Sequence, residues 1–206
     1  MIRLPETRLL PFGMCFLLLL AACGNNNHKA DPTQLHNNAQ EAVRLFFQSC
    51  VAEEGDNSRI ASWAAKNGFH PLDAEAVGRL PLGMIELDAQ NVWQGERGGA
   101  LFYLTSGSGG DCSLKTAQAD EAVVRAQFTA AAQQDTAGIT VRERGNHYSA
   151  TPFPFSQLVY SWQRGDEAVE TLLGANTSPS EQVPAQVALH FSRAPMAVIV
   201  PNISNQ

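Results

Sequence analysis

The sequence predicts an α+β fold, with N-terminal helices and one central helix packed on a mostly antiparallel sheet. Three observations carry that expectation. Apolar residues recur at three- and four-residue steps up to about residue 80. The period then shortens toward two, with Gly-rich turns between short runs. A single helix-like segment, 119–134, interrupts this β-like pattern, which resumes from 139 onward.

In order along the chain, Leu35, Ala39, Ala42, Val43, Phe46, Phe47 and Cys50 form one apolar stripe. The stripe predicts a helix starting near Thr33 or Asn38 and ended by Glu53-Glu54-Gly55-Asp56. Asn57 or Ser58 caps a second helix carrying Ile60, Trp63 and Ala64, which Asn67-Gly68 stops. Asp73 caps a short third helix through Leu80. Met84 to Leu87, Asn91 to Gln94, Ala100 to Thr105 and Cys112 to Thr116 read as strands, with turns at Glu96-Arg97-Gly98-Gly99 and Ser106 to Gly110. The helix from Ala119 to Gln134 presents Val123, Val124, Phe128, Ala131 and Ala132 on its inner face. Ile139 to Arg144 and His147 to Thr151 flank Gly145-Asn146, a hairpin-turn signal. Leu158 to Gln163, Ala168 to Leu173, Val187 to Phe191 and Ala197 to Val200 complete the expected strands, and no internal repeat is evident.

The first 22 residues have the layout of a secretory signal. Arg3 and Arg8 give a positive start, Met14 to Leu20 a short apolar run, and Ala21-Ala22 small residues before Cys23. A transmembrane span needs ~20 apolar residues. Pro11 and Gly13 interrupt the run upstream and Gly24-Asn25-Asn26-Asn27 ends it. Leu20-Ala21-Ala22-Cys23 resembles the lipobox of bacterial lipoproteins. The resemblance implies cleavage before Cys23, a diacylglycerol on its sulfur, and acylation of the new amino terminus. Gly24 in place of Asp then favours the outer over the inner membrane, and the address is the periplasm-facing cell envelope. The expected organisation is a signal peptide over 1–22, a flexible tether over 23–38 that is rich in Asn and His, and one α+β domain over 39–206.

Four cysteines occur in the chain. Cys15 leaves with the signal and Cys23 carries lipid, so Cys50 and Cys112 remain and pair in an oxidising compartment. Without Cys-x-x-Cys spacing, a redox-active pair is not expected, and no His pair has zinc-helix spacing. The whole chain has 14 basic and 20 acidic residues. Loss of Arg3, Arg8 and Glu6 leaves 12 and 19, a net charge of −7. That balance disfavours nucleic acid and anionic lipid surfaces and is compatible with a basic protein partner.

Chemical motifs are sparse. Ser106-Gly107-Ser108-Gly109-Gly110 lacks the first glycine of a nucleophile elbow and leads into a strand. Leu114 stands where a phosphate loop needs glycine before Lys115-Thr116. His28 and His36 fall in the expected tether, while His70, His147 and His190 have no local partners for catalysis. The acidic pairs Glu53-Glu54, Asp120-Glu121 and Asp166-Glu167 are adjacent and so diverge in direction. No catalytic residue, cofactor or metal site is expected, and the chain is not read as an enzyme. Aromatic residues offer the best binding material, with Trp162, Tyr160, Tyr103 and Trp93 as candidate partner-binding positions.

Cys50, the Trp63-to-Phe69 stretch, Trp93 and Gly109-Gly110-Asp111-Cys112 resemble an uncharacterised family of small proteobacterial periplasmic lipoproteins with one disulfide. That resemblance implies an α+β domain and no known activity. The expected role is a lipid-anchored periplasmic domain that binds another protein, in one concrete form an immunity protein neutralising a toxin delivered to the periplasm. The alternatives are an envelope-assembly lipoprotein and a periplasmic hydrolase whose residues meet only in the folded chain.

Cys23→Ala tests the anchor. Each buried acyl CH₂ contributes ~0.8 kcal/mol of membrane affinity. The variant is expected to lose incorporation of labelled palmitate, and unchanged labelling overturns the assignment.

Overall fold

The computed structural model describes residues 31–195. Cys23, the signal segment, the tether up to residue 30 and the expected strand Ala197–Val200 lie outside the described residues. Four α-helices, α1 (Pro32–Phe46), α2 (Asn57–Lys66), α3 (Ala74–Gly78) and α4 (Glu121–Ala132), accompany eight strands. The strands are β1 (His70–Pro71), β2 (Asn91–Arg97), β3 (Ala100–Ser106), β4 (Cys112–Thr116), β5 (Ile139–Ser149), β6 (Phe155–Arg164), β7 (Val169–Thr177) and β8 (Val187–Pro195). All pair antiparallel in one sheet of order β1-β2-β3-β4-β8-β7-β6-β5. The fold is therefore α+β, built from two four-stranded meanders whose last strands pair at the centre. Among the described residues, no helix is long and apolar enough to cross a membrane.

α1 begins where Asp31 accepts a hydrogen bond from the Thr33 amide at 2.7 Å and proline supplies the first helical residue. Residues 32–38, expected as tether, are thus helical, which agrees with the earlier of the two predicted starts. The helix passes into a π-helical turn, Phe47–Val51, that buries Ser49 and Cys50. Ser49 Oγ donates to the Leu45 carbonyl at 2.8 Å. Asp56, rather than Asn57 or Ser58, caps α2, accepting from the amides of Ser58 and Arg59 at 2.9 Å each. Asp73 caps α3 and Asp120 caps α4.

Side chains of α1, α2 and α4 share one buried cluster with alternate residues of the sheet. Phe46, Phe128, Phe102, Leu104, Leu114, Leu173 and Leu189 are fully enclosed in it. Strand alternation gives this core face Phe102 and Leu104 of β3, and Leu114 of β4. The opposite face receives Tyr103, Thr105, Ser113 and Lys115. Phe69 lies over Gly95 of β2, where an added Cβ would stand 2.9 Å from its ring. Trp63 and the Arg97 guanidinium also contact that ring, the latter 5.3 Å from its centroid.

Two strand expectations are corrected. Met84 to Leu87 is not a strand; it belongs to an irregular loop, because the Glu86 side chain bonds across the sheet face and holds the segment there. Gly145-Asn146 is not a hairpin turn. Both halves of β5 pair with β6 in one run, and the register shift between Glu143 and Gly145 is a bulge. The real turn falls at residues 150–154, where the prolines remove ladder donors. β7 also runs on to Thr177, past the expected end at Leu173.

Cys50 and Cys112 form a disulfide across a sequence separation of 62. It ties the π-helical turn to the first residue of β4. Beside it, Gly55 has φ +70, and an added Cβ would stand 2.0 Å from the Gly110 carbonyl oxygen. Only glycine fits that contact. A loop of this size restricts the unfolded chain by about 4 kcal/mol in the loop-entropy model. Replacing both cysteines by alanine is expected to lower unfolding free energy by about 2–5 kcal/mol in urea titration. An unchanged urea midpoint would remove the bond from the account of stability.

Candidate functional site

Between α3 and β2 the chain crosses the sheet face opposite the core without regular structure, from Arg79 to Gln90. Strand alternation explains what it meets there. Ser113 faces Thr105 on one side and His190 on the other, and Lys115 faces Tyr103. All of these side chains project from the face opposite Leu104, Leu114 and Leu189. Met84 from the loop is buried.

Glu86 is the loop's fastening. Its Oε2 accepts from Thr105 Oγ1 at 2.9 Å and from Ser113 Oγ at 2.7 Å. Its Oε1 lies 2.9 Å from Lys115 Nζ and 3.5 Å from His190 Nδ1. Thr105 and Ser113 are also 2.8 Å apart, oxygen to oxygen. Lys115 further donates to the Gly83 carbonyl at 3.3 Å, and the Gln90 amide to the Ser106 carbonyl at 2.9 Å. Burial by itself would raise the Glu86 carboxyl. The Lys115 charge, the Ser113 and Lys115 hydrogen bonds and His190 outweigh it and hold the group below its ordinary value. For His190 burial dominates and lowers the imidazole, against the pull of Glu86 and together with the push of Lys115. Burial also raises the Tyr103 phenol.

Chemically the cluster joins a serine, a lysine, a histidine and a carboxylate. Ser113 Oγ, however, donates to the ionised carboxylate, an arrangement that fixes the hydroxyl proton without removing it. Activation of a serine requires a base able to take that proton, and a carboxylate held below its ordinary value is a weak one. Lys115 is likewise committed to Glu86 and Gly83. The wiring is that of a clamp.

The clamp positions a trough of about 670 Å³ between the loop and the β1 edge. Leu72, Val77, Leu80, Ile85, Val92 and Trp93 line it. Leu82 and Leu87 stand on it 86% and 96% exposed, the most exposed large apolar side chains among the described residues. A smaller cavity of about 220 Å³ sits over Trp162, Ile139 and Phe191. Its arginines already face carboxylates, Arg164–Glu54 at 3.2 Å and Arg193–Glu167 at 3.8 Å.

The four aromatic candidates do not gather into one surface. Tyr160 is 2% exposed and packs on Phe128 of α4. Trp162 is half-buried beside it and donates from Nε1 to the Ala132 carbonyl at 2.7 Å. Tyr103 is 7% exposed on the opposite face of the sheet, and Trp93, also 7% exposed, contributes to the trough and the core together. Of the histidines, His190 enters the clamp while His70 and His147 are exposed. Among the described residues, no three His, Cys, Asp or Glu side chains are placed to hold a metal.

The trough itself went unpredicted. The signal lay in Leu80-Pro81-Leu82-Gly83, where breakers sit inside an apolar run and oppose a strand. Ser113 and Lys115, alternating with Leu114, were the mark of a polar opposite face. No family model, no curated protein and no solved structure matches the chain.

Glu86→Gln is expected to cost about 2 kcal/mol, because Lys115 keeps its buried charge while losing its counter-ion. The folded Glu86 and His190 groups both sit below their unfolded values, so the unfolded chain binds more protons on acidification. Wild-type stability therefore falls as pH drops below about 6.5, the unfolded histidine value, and falls further below about 4.3, the unfolded glutamate value, as Glu86 titrates at its lowered position. The variant should show a flatter fall in urea midpoints below about pH 4.3, where the Glu86 titration is removed, and an equally steep fall there would discount the clamp.

Proposed function

We propose that this chain is a lipid-anchored protein of the bacterial envelope whose periplasmic domain binds another protein. α1, α2 and α4 are taken as a layer over the core face of the sheet, which leaves the opposite face and the β1 edge for docking. The observation that carries the reading is the exposure of Leu82 and Leu87 on a loop held rigid by Glu86. Apolar side chains presented on a fixed scaffold beside a trough suit recognition of a partner. The docking face moves accordingly from Trp162, Tyr160 and Tyr103 to the 79–90 loop, with Trp93 retained among the residues that line the trough. In its concrete form the partner is a toxin delivered to the periplasm and the chain is its immunity protein.

A second reading, a periplasmic hydrolase, draws on the meeting of Ser113, His190, Lys115 and Glu86. The bond from Ser113 Oγ to Glu86 weighs against it, since the carboxylate that accepts the hydroxyl proton is held below its ordinary value and is a weak base.

The test is cross-linking of the tagged, lipidated chain in the cell envelope, followed by capture and mass spectrometry. An enriched partner that is lost with Leu82→Ser plus Leu87→Ser supports the reading. A toxin-type partner identifies immunity, and an abundant envelope component identifies assembly. Absence of any partner dependent on these leucines overturns protein binding through this loop.

A further inference from the structure

The trough has a charge pattern as well as an apolar lining. Residues 71–93, which build it, carry Asp73, Glu75, Glu86 and Asp88 against one basic residue, Arg79. Arg79 is already paired with Glu75 at 2.5 Å, and Glu86 with Lys115 at 2.9 Å. Asp73 and Asp88 therefore remain without a cationic partner among the ion pairs of the described residues. Their chain neighbours Leu72, Ala74, Leu87 and Ala89 all line the trough, so both exposed acids lie at its margin, Asp88 on the side of the adjoining cavity over Thr105, Ser113 and His190.

We infer that the trough takes a basic amphipathic segment of a partner protein, with leucine-like anchors on the floor and Lys or Arg beside Asp73 and Asp88. The inference deepens the proposed protein-binding role and rests on it. Apolar anchors recurring every three or four residues match a groove of this kind. Opposite charge at its rim selects the partner and speeds encounter more than it tightens the complex. A second copy of this chain would bring the same acids face to face, and like charges across an interface disfavour it. An anionic lipid surface is repelled by the same rim and by the domain's net negative charge.

The experiment uses the full chain as cells produce it, captured through a C-terminal tag on a sensor surface rinsed free of detergent. The probes are a Leu/Lys amphipathic peptide of about 14 residues, four helical turns, and its Leu/Glu counterpart. The Leu/Lys peptide is expected to bind at least about tenfold more tightly than Leu/Glu, a difference of ~1.4 kcal/mol. Leu82→Ser with Leu87→Ser should weaken it by about tenfold or more, and Asp88→Lys by several-fold with loss of salt dependence. Leu82, Leu87 and Asp88 are exposed, so these variants keep the fold. Equal binding of the two peptides, or binding indifferent to the leucines, overturns the inference. A failed peptide titration beside a leucine-dependent captured partner rejects the basic segment alone, and the reverse result rejects the envelope partner alone.

Discussion

Five residues, Cys112–Thr116, join the two halves of this molecule. β4 closes the first meander on β3 and meets β8, the last strand of the second, in the register Cys112↔Phe191 through Thr116↔Val187. Those partners are 71 or more positions apart in sequence, so the pairing gains nothing from local chain order and must be secured by what the side chains do. Each face of β4 has a separate task. Leu114 enters the core, Cys112 is bonded to the end of the α1 segment, and Ser113 and Lys115 hold the loop on the other side. A slip of one residue would exchange the two faces, placing Lys115 in the apolar cluster and Leu114 under Glu86. Register and covalent tie therefore specify each other.

The clamp opposite the core is a costly kind of fastening. Burying Lys115 and much of Glu86 gives up hydration that their attraction only partly returns. An apolar plug would hold a loop at least as well. What the ionic version adds is direction: a carboxylate with two hydroxyl donors and an ammonium has one satisfactory seat, whereas a leucine accepts many. Fixing Glu86 fixes its neighbours Ile85 and Leu87, both of which line the trough, Ile85 partly covered and Leu87 exposed. Glu86 and His190 both sit below their ordinary values, so both contributions to stability are lost on acidification, the histidine's first.

Most of the fold is legible in the sequence because most elements are specified locally. Period, caps and glycine stops place α1 through α4, and alternation places β3 and β4 to within one residue at either end and β2 to within three. The disulfide follows from cysteine arithmetic alone. The failures share a cause. Met84 to Leu87 has strand composition, but the seat for Glu86 is built from Thr105, Ser113 and Lys115, residues 19 to 29 positions ahead. Gly145-Asn146 has turn chemistry, but continuous pairing of β5 with β6 on both sides overrides it. The aromatic candidates rest on residue type. Type is silent about which sheet face is covered, and three of the four proved to be enclosed.

Two exposed leucines make a weak interface by themselves. Burying most of both removes a few hundred square ångströms of apolar surface, worth a few kcal/mol at about 25 cal/mol/Å² before the cost of association is subtracted. Attachment to a membrane changes that balance. Between Cys23 and Pro32 the chain can span at most about 30 Å, so a lipid on Cys23 would confine the domain to a thin layer of the envelope. Partners confined to the same layer meet at an effective concentration far above their average one. In the proposed reading the anchor and the trough are thus parts of one device. The lipid supplies proximity, the acidic rim supplies selection, and the leucines contribute only the modest contact energy that remains to be found.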